Sequence, residues 1–152
     1  MVSSLYSPEN PVFASFCFYA AFLCCKMFFM AVLVGWQRYV KRAFANPEDT
    51  TKLPGAKIRT DEDVERLRRA HLNDLENIVP FLVLAFIYVS TSPSEGVALA
   101  AFRIFTFSRL LHTFVYAIVV VEQPARFLAF MGGMIVNLYL TLSIMAFYWS
   151  AI

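Results

Sequence analysis

Charge is scarce in this chain, with 13 Lys and Arg and 11 Asp and Glu among 152 residues, against 59% hydrophobic side chains and 16 Phe. That balance excludes an ordinary soluble domain of this size. It also argues against a nucleic-acid binder, because the basic groups share their stretch with acidic ones and no aromatic platform stands out. Glycine is limited to five residues. There is no Gly-rich phosphate loop, and Gly132-Gly133 falls inside an apolar run, where it reads as a point of close packing or flexibility. The three cysteines, Cys17, Cys24 and Cys25, lie in one apolar segment without a metal-like spacing joined to histidine. No metal site is expected, and they read as small buried hydrophobes. The first eleven residues hold no Lys or Arg, and Lys26 interrupts the apolar segment that follows, so a removable signal peptide is not expected. Internal repeats and low-complexity tracts are lacking too.

What the chain does have is four long apolar segments. They predict an all-α integral membrane four-helix bundle, a single membrane domain over residues 1–152 with crossings near residues 12–36, 68–91, 97–121 and 125–149. Asn10 and Pro11 offer a cap and a first-turn proline for the first helix. Thr60 with Asp63 resembles a capping box, which starts the second helix near Asp61. Between these helices, residues 38–69 contain nine Lys or Arg and six Asp or Glu, whereas the link at residues 91–96 has only Glu95. The positive-inside bias puts the loop of residues 38–63 in the cytoplasm and both termini on the luminal side.

Two polar stripes run into the apolar helices. The uninterrupted apolar run in the second segment is only twelve residues, from Ile78 to Val89, so a crossing of about 20 residues must include its polar start. Arg66, Arg69, Asn73 and Glu76 follow at spacings of three, four and three on one face. Lipid is a costly neighbour for them, and a seam between helices that opens at one membrane surface is expected. In the third segment Arg109, His112 and Tyr116 also share a face, as a lined site or a hydrogen-bonded network. Arg109 can pair with Glu76 or Asp74, and Lys26 pairs within the bundle or snorkels. Asn137 in the fourth segment is expected to bond across the bundle.

The Arg126 link returns to the same membrane surface as Arg38 and Arg69. Guanidinium forks there suit carboxylates, while Glu76 and Asp49 can accept from an ammonium group, and with Asn73 at the same end this mixture points to a small zwitterionic or multiply charged ligand.

Four pieces of the chain carry a resemblance: F-A-N-P-E-D at residues 44–49, V-E-R-L-R-R-A-H-L-N-D-L-E-N at residues 64–77, R-x-x-H-T-x-x-Y at residues 109–116 and Q-P-x-R at residues 123–126. In this order they resemble the membrane-associated proteins in eicosanoid and glutathione metabolism, the MAPEG family. The resemblance implies a homotrimer in the endoplasmic reticulum membrane, in some members also the mitochondrial outer membrane. Glutathione is then the cosubstrate, held between subunits near the cytoplasmic side. It assigns Arg38, Arg69, Asn73, Glu76, His112 and Tyr116 to glutathione and Arg126 to the reactive thiolate, with Asp49, His71, Asp74 and Arg109 as candidate supporting groups.

Within the family the chain resembles the transferase branch more than the prostaglandin E synthase branch. Leu72 replaces a basic residue of the synthases, Phe127 a serine and Phe130 a tyrosine, which removes two hydroxyls. The implied activity is glutathione S-transfer to hydrophobic electrophiles with reduction of lipid hydroperoxides. The alternatives are a glutathione-dependent prostaglandin E synthase and a non-catalytic membrane scaffold. Thr50 stands where vertebrate transferases of this branch carry a cysteine linked to activation by thiol modification. The segment between Tyr116 and Arg126 is one residue longer than in these relatives.

Overall fold

The structure, a computed structural model, describes residues 5–149 and 152. Four helices dominate it: α1 at Pro11–Lys41, α2 at Glu62–Val89, α3 at Glu95–Thr113 and α4 at Ala125–Tyr148. A π-helical turn, Phe114–Ile118, continues α3. All four helical runs are long and apolar enough to cross a membrane, so the chain is an all-α, membrane-spanning four-helix bundle. The loop after α1 contributes only a two-residue parallel pair, β1 at Ala43–Phe44 with β2 at Lys57–Ile58, and a 3-10 turn at Pro47–Thr50.

The helix starts follow local chemistry. Asn10 accepts from the Val12 amide ahead of Pro11, as the sequence predicts. For α2 the cap is Asp61 instead of Thr60: its Oδ1 accepts from the Asp63 and Val64 amides. An anionic acceptor at the positive end of the helix dipole gains more than a hydroxyl would, and the start moves by one residue. Pro80 interrupts α2 chemically without ending it.

Each helix touches two neighbours along its length, in the ring order α1, α2, α4, α3, which leaves α2 and α3 facing each other across a diagonal. On that diagonal Phe81 stacks on Phe105 with ring centroids 3.8 Å apart. Leu23, Ile78, Ala85, Phe102 and Leu140 close around them without exposure. Behind this core α4 comes close to α3 through its glycine pair. A Cβ on Gly132 would collide with the Ser108 hydroxyl, and one on Gly133 would sit 3.4 Å from Arg109 Cδ. The glycines are therefore a packing device that makes room for a buried arginine.

The outside of the bundle is apolar, as lipid demands. Phe18, Phe28, Phe29 and Val32 on α1 and Leu138 and Leu142 on α4 all point outward. Trp36 and Tyr39 at the loop end, with Tyr148 and Trp149 at the opposite end, have the placing of interfacial aromatics. The cysteines depart from expectation. Cys17 and Cys25 are exposed and Cys24 is half-buried, because the inward line of α1 is Val12, Leu23, Lys26 and Met30. At this depth a thiol is apolar enough to face lipid or another chain.

Candidate functional site

The polar residues of α2 and α3 sort into two layers, about one helical turn apart. The inner layer is closed. Lys26 of α1 donates to Asp74 Oδ2, and Arg109 Nε of α3 lies 3.7 Å from Asp74 Oδ1. Asp74 and Arg109 have no exposed side-chain surface, and Lys26 has 7%. Arg109 Nη2 donates to Asn73 Oδ1 at 2.7 Å across the diagonal. Further in, Asn77 Nδ2 donates to the Asn73 carbonyl, and Asn137 Nδ2 donates to the Asn77 carbonyl at 3.1 Å. Asn137 thus bonds across the bundle as expected; Lys26 pairs with Asp74 within the bundle, and Arg109 faces Asp74 instead of Glu76 but bonds Asn73.

The outer layer is open toward the loop end. His112, buried, stacks on the ring of Tyr116 at 5.4 Å and 25°. Over the same ring, at 5.1 Å, lies the Arg126 guanidinium, whose Nε donates to the Val121 carbonyl at 2.7 Å. One aromatic ring therefore has an imidazole and a cation against it, and two independent contacts orient Arg126. Arg69, one turn before Asn73, neighbours the Tyr116 hydroxyl and donates to Glu62 at 2.5 Å, while remaining 44% exposed. The π turn brings Tyr116 here: Val119 N–H reaches the Phe114 carbonyl at 2.8 Å, a five-residue step that widens the helix at its end.

The stripe Arg66, Arg69, Asn73 and Glu76 is corrected in part by this geometry. It is not a seam within the subunit, for Arg69 and Glu76 face outward on the single chain. The inward line of α2 is Leu67, Ala70, Asp74 and Asn77, one position away. Arg66 turns back to Asp63 at 3.1 Å. Glu76 makes no ion pair or hydrogen bond among the described residues. Two sequence candidates stand apart. Arg38 lines a cavity of about 440 Å³ under the loop with Phe44, Arg59, Thr60, Asp61 and Glu65. Asp49 sits in the 3-10 turn within 3.4 Å of the Asn46 amide. His71 is half-buried, and its Nδ1 has no hydrogen-bond partner among the described residues.

Sequence reasoning underrated Lys26 and Asp74. The sequence leaves Lys26 to pair within the bundle or snorkel and Asp74 open to Arg109, and only the crossing of α1 with α2 makes Lys26 and Asp74 partners. The signal was the excess of buried charges, which must find partners. The π turn left no signal, since Phe114–Ile118 has neither Gly nor Pro.

The arrangement leaves exchangeable cations and aromatic surface at one membrane boundary, next to a fixed polar core. Comparison with known proteins places nearly the whole chain in one family. The profile of the MAPEG family matches residues 16–146. Microsomal glutathione S-transferase 1 of Mus musculus is 47% identical over 130 residues, 82% of this chain and 83% of the relative. Its Homo sapiens counterpart is 41% identical over 138 residues, 88% of both chains. Prostaglandin E synthase of Bos taurus is 41% identical over 129 residues, 84% of both.

Proposed function

The chain belongs to the MAPEG family, and from that premise we propose that it is a membrane glutathione S-transferase which conjugates the glutathione thiolate to hydrophobic electrophiles and reduces lipid hydroperoxides. The observation that carries this reading is the Arg126 guanidinium held over Tyr116 at the loop end of a membrane bundle. With Nε committed to Val121, its terminal nitrogens are left for an anion.

Glutathione brings two carboxylates, an ammonium group and a thiol, and only the thiolate is a strong nucleophile. A guanidinium beside sulfur favours the anion by about 1.4 kcal/mol for each pKa unit of depression. Arg69 and Arg38 suit the carboxylates, the outward-facing Glu76 suits the ammonium group, and His112 and Tyr116 wall the thiol end. The electrophile arrives from lipid. Attack on an aryl halide forms the thioether and expels halide. Attack on a hydroperoxide oxygen releases the alcohol and leaves a sulfenic acid, which a second glutathione converts to disulfide and water.

The outward stance of Arg69 and Glu76, and the separate position of Arg38 and Asp49, suit a site completed by a second copy. A homotrimer in the endoplasmic reticulum membrane with the site on the cytoplasmic face fits the family. Prostaglandin isomerisation is less well supported, since Phe127, the neighbour of Arg126, is exposed and has no hydroxyl to offer.

The test is glutathione-dependent turnover of a hydrophobic aryl halide by purified protein in liposomes, with Arg126→Ala alongside. Loss of about 3 kcal/mol of thiolate stabilisation predicts a fall of roughly 100-fold while glutathione still binds. An intact wild-type protein without turnover returns the scaffold reading.

A further inference from the structure

The inner cluster contains two cations and one carboxylate, and its geometry is that of a competition. An arginine beside a buried aspartate ordinarily makes two parallel hydrogen bonds. Here Lys26 holds Asp74, and Arg109 Nε stops at 3.7 Å, about 0.7 Å beyond the usual N–H···O distance. Arg109 Nε and Nη1 and Asp74 Oδ1 are all without hydrogen-bond partners among the described residues. Among the described residues, the one hydrogen bond that Arg109 makes is to Asn73.

That bond dictates which way Asn73 faces. A guanidinium can only donate, so the amide oxygen must be the end turned to Arg109. The amide NH2 is then left to donate elsewhere, one turn from Arg69 and in line with it. We propose that Lys26 is a positioning residue for the glutathione site. By drawing Asp74 to itself through Oδ2 it holds Oδ1 short of Arg109 and keeps Arg109 on Asn73, and so presents the Asn73 NH2 to an acceptor oxygen of the ligand. The inference rests on the glutathione reading given above.

Charge counting gives it an unusual signature. Lys26→Met leaves one cation and one carboxylate, a neutral pair, so the bundle is not left with an uncompensated charge. Asp74 can then close on the Arg109 fork, and Asn73 loses its hold. In the further double variant Lys26→Met/Asp74→Asn the carboxylate that draws Arg109 away is gone, and the net charge is that of the wild type.

The experiment measures initial rates against glutathione concentration, and thermal unfolding in detergent, for full-length wild type and both variants. Lys26→Met is expected to keep its unfolding temperature and its kcat, while KM for glutathione rises about five- to tenfold, the worth of one hydrogen bond. The double variant is expected to return KM to within about twofold of wild type, as the orientation of Asn73 is restored. A cluster that merely braces the helices predicts the reverse, with the double variant the worse of the two. Unchanged KM in folded Lys26→Met, or KM that stays high in the double variant, overturns the proposal. So does failure of both variants to fold. Absence of turnover in the wild type removes the glutathione reading and the inference with it, whereas normal wild-type turnover with an unmoved KM removes the inference alone.

Discussion

The inner and outer polar layers use the same residue types, arginine, acid and amide, in opposite ways. Around Asp74 the charges are buried, come from three helices and are spent on one another. Around Tyr116 the charges are partly exposed, and their partners are an aromatic face, a backbone carbonyl and a solvent-facing glutamate. The difference teaches how a membrane protein can keep both a structural and a reactive charge within two turns of one helix. Desolvation makes an inner pair costly to break, while water at the boundary makes an outer pair cheap to exchange. Only the second kind can be handed to a ligand.

The comparison breaks most readily at Asp74. Asp74→Ala leaves Lys26 and Arg109 buried together with no anion between them, and a loss of about 3–5 kcal/mol is expected. The check is detergent unfolding monitored by circular dichroism, and a variant as stable as wild type would mean that water reaches the layer. A smaller effect, on the same layer from behind, is expected at the glycine pair. Gly132→Ala drives a methyl group into the Ser108 hydroxyl, which is bonded to the Ile104 carbonyl at 2.7 Å and cannot yield freely. The overpacking costs about 1–3 kcal/mol. Gly133→Ala meets only ordinary contact with Arg109 and is expected to be neutral or slightly stabilising, since alanine is the better helix former. Equal costs at the two positions would contradict the close approach.

The outer layer responds in rate instead of stability. Tyr116→Ala removes the ring that both His112 and Arg126 lie against. Loss of a partly desolvated cation–π contact of about 1–2 kcal/mol predicts a drop in turnover of roughly tenfold. Tyr116→Phe keeps the ring and is expected to stay within about threefold of wild type, the worth of one hydroxyl contact. Parallel losses in both variants would shift the role from the ring to the hydroxyl.

The two layers were not equally legible. Four crossings, the Asn10 cap and the α3 face of Arg109, His112 and Tyr116 follow from apolar runs and the 3.6-residue period, which are local properties. The orientation of α2 about its axis is not local. A stripe counted from Arg66 finds Arg69, Asn73 and Glu76, but the inward line passes through Asp74, because Lys26 on another helix decides which carboxylate is drawn in. The same limit explains the cysteines: α1 is apolar apart from Lys26, which could pair inward or snorkel, so its composition did not say which side faced the core. The π turn at Tyr116 depends on how the chain leaves α3 toward Arg126, again a tertiary matter.

The finest test of the contrast is at the pair of Arg69 with Glu62, where the outer layer most resembles the inner. The two are seven residues apart on α2, with side chains 44% and 70% exposed, so this pair contributes little to the fold. If Arg69 is instead on loan from Glu62 until a ligand carboxylate arrives, Glu62→Gln removes a competitor. The unfolding temperature is expected to stay put, and KM for glutathione to fall by about twofold at low salt, the scale of an exposed ion pair. The gain should vanish near 1 M salt, where the screening length is about 3 Å and the glutamate no longer competes in the wild type either. A rise in KM would make Glu62 part of the binding surface, and a lower unfolding temperature would make the pair structural. Either outcome would move Arg69 from the exchangeable layer to the fixed one.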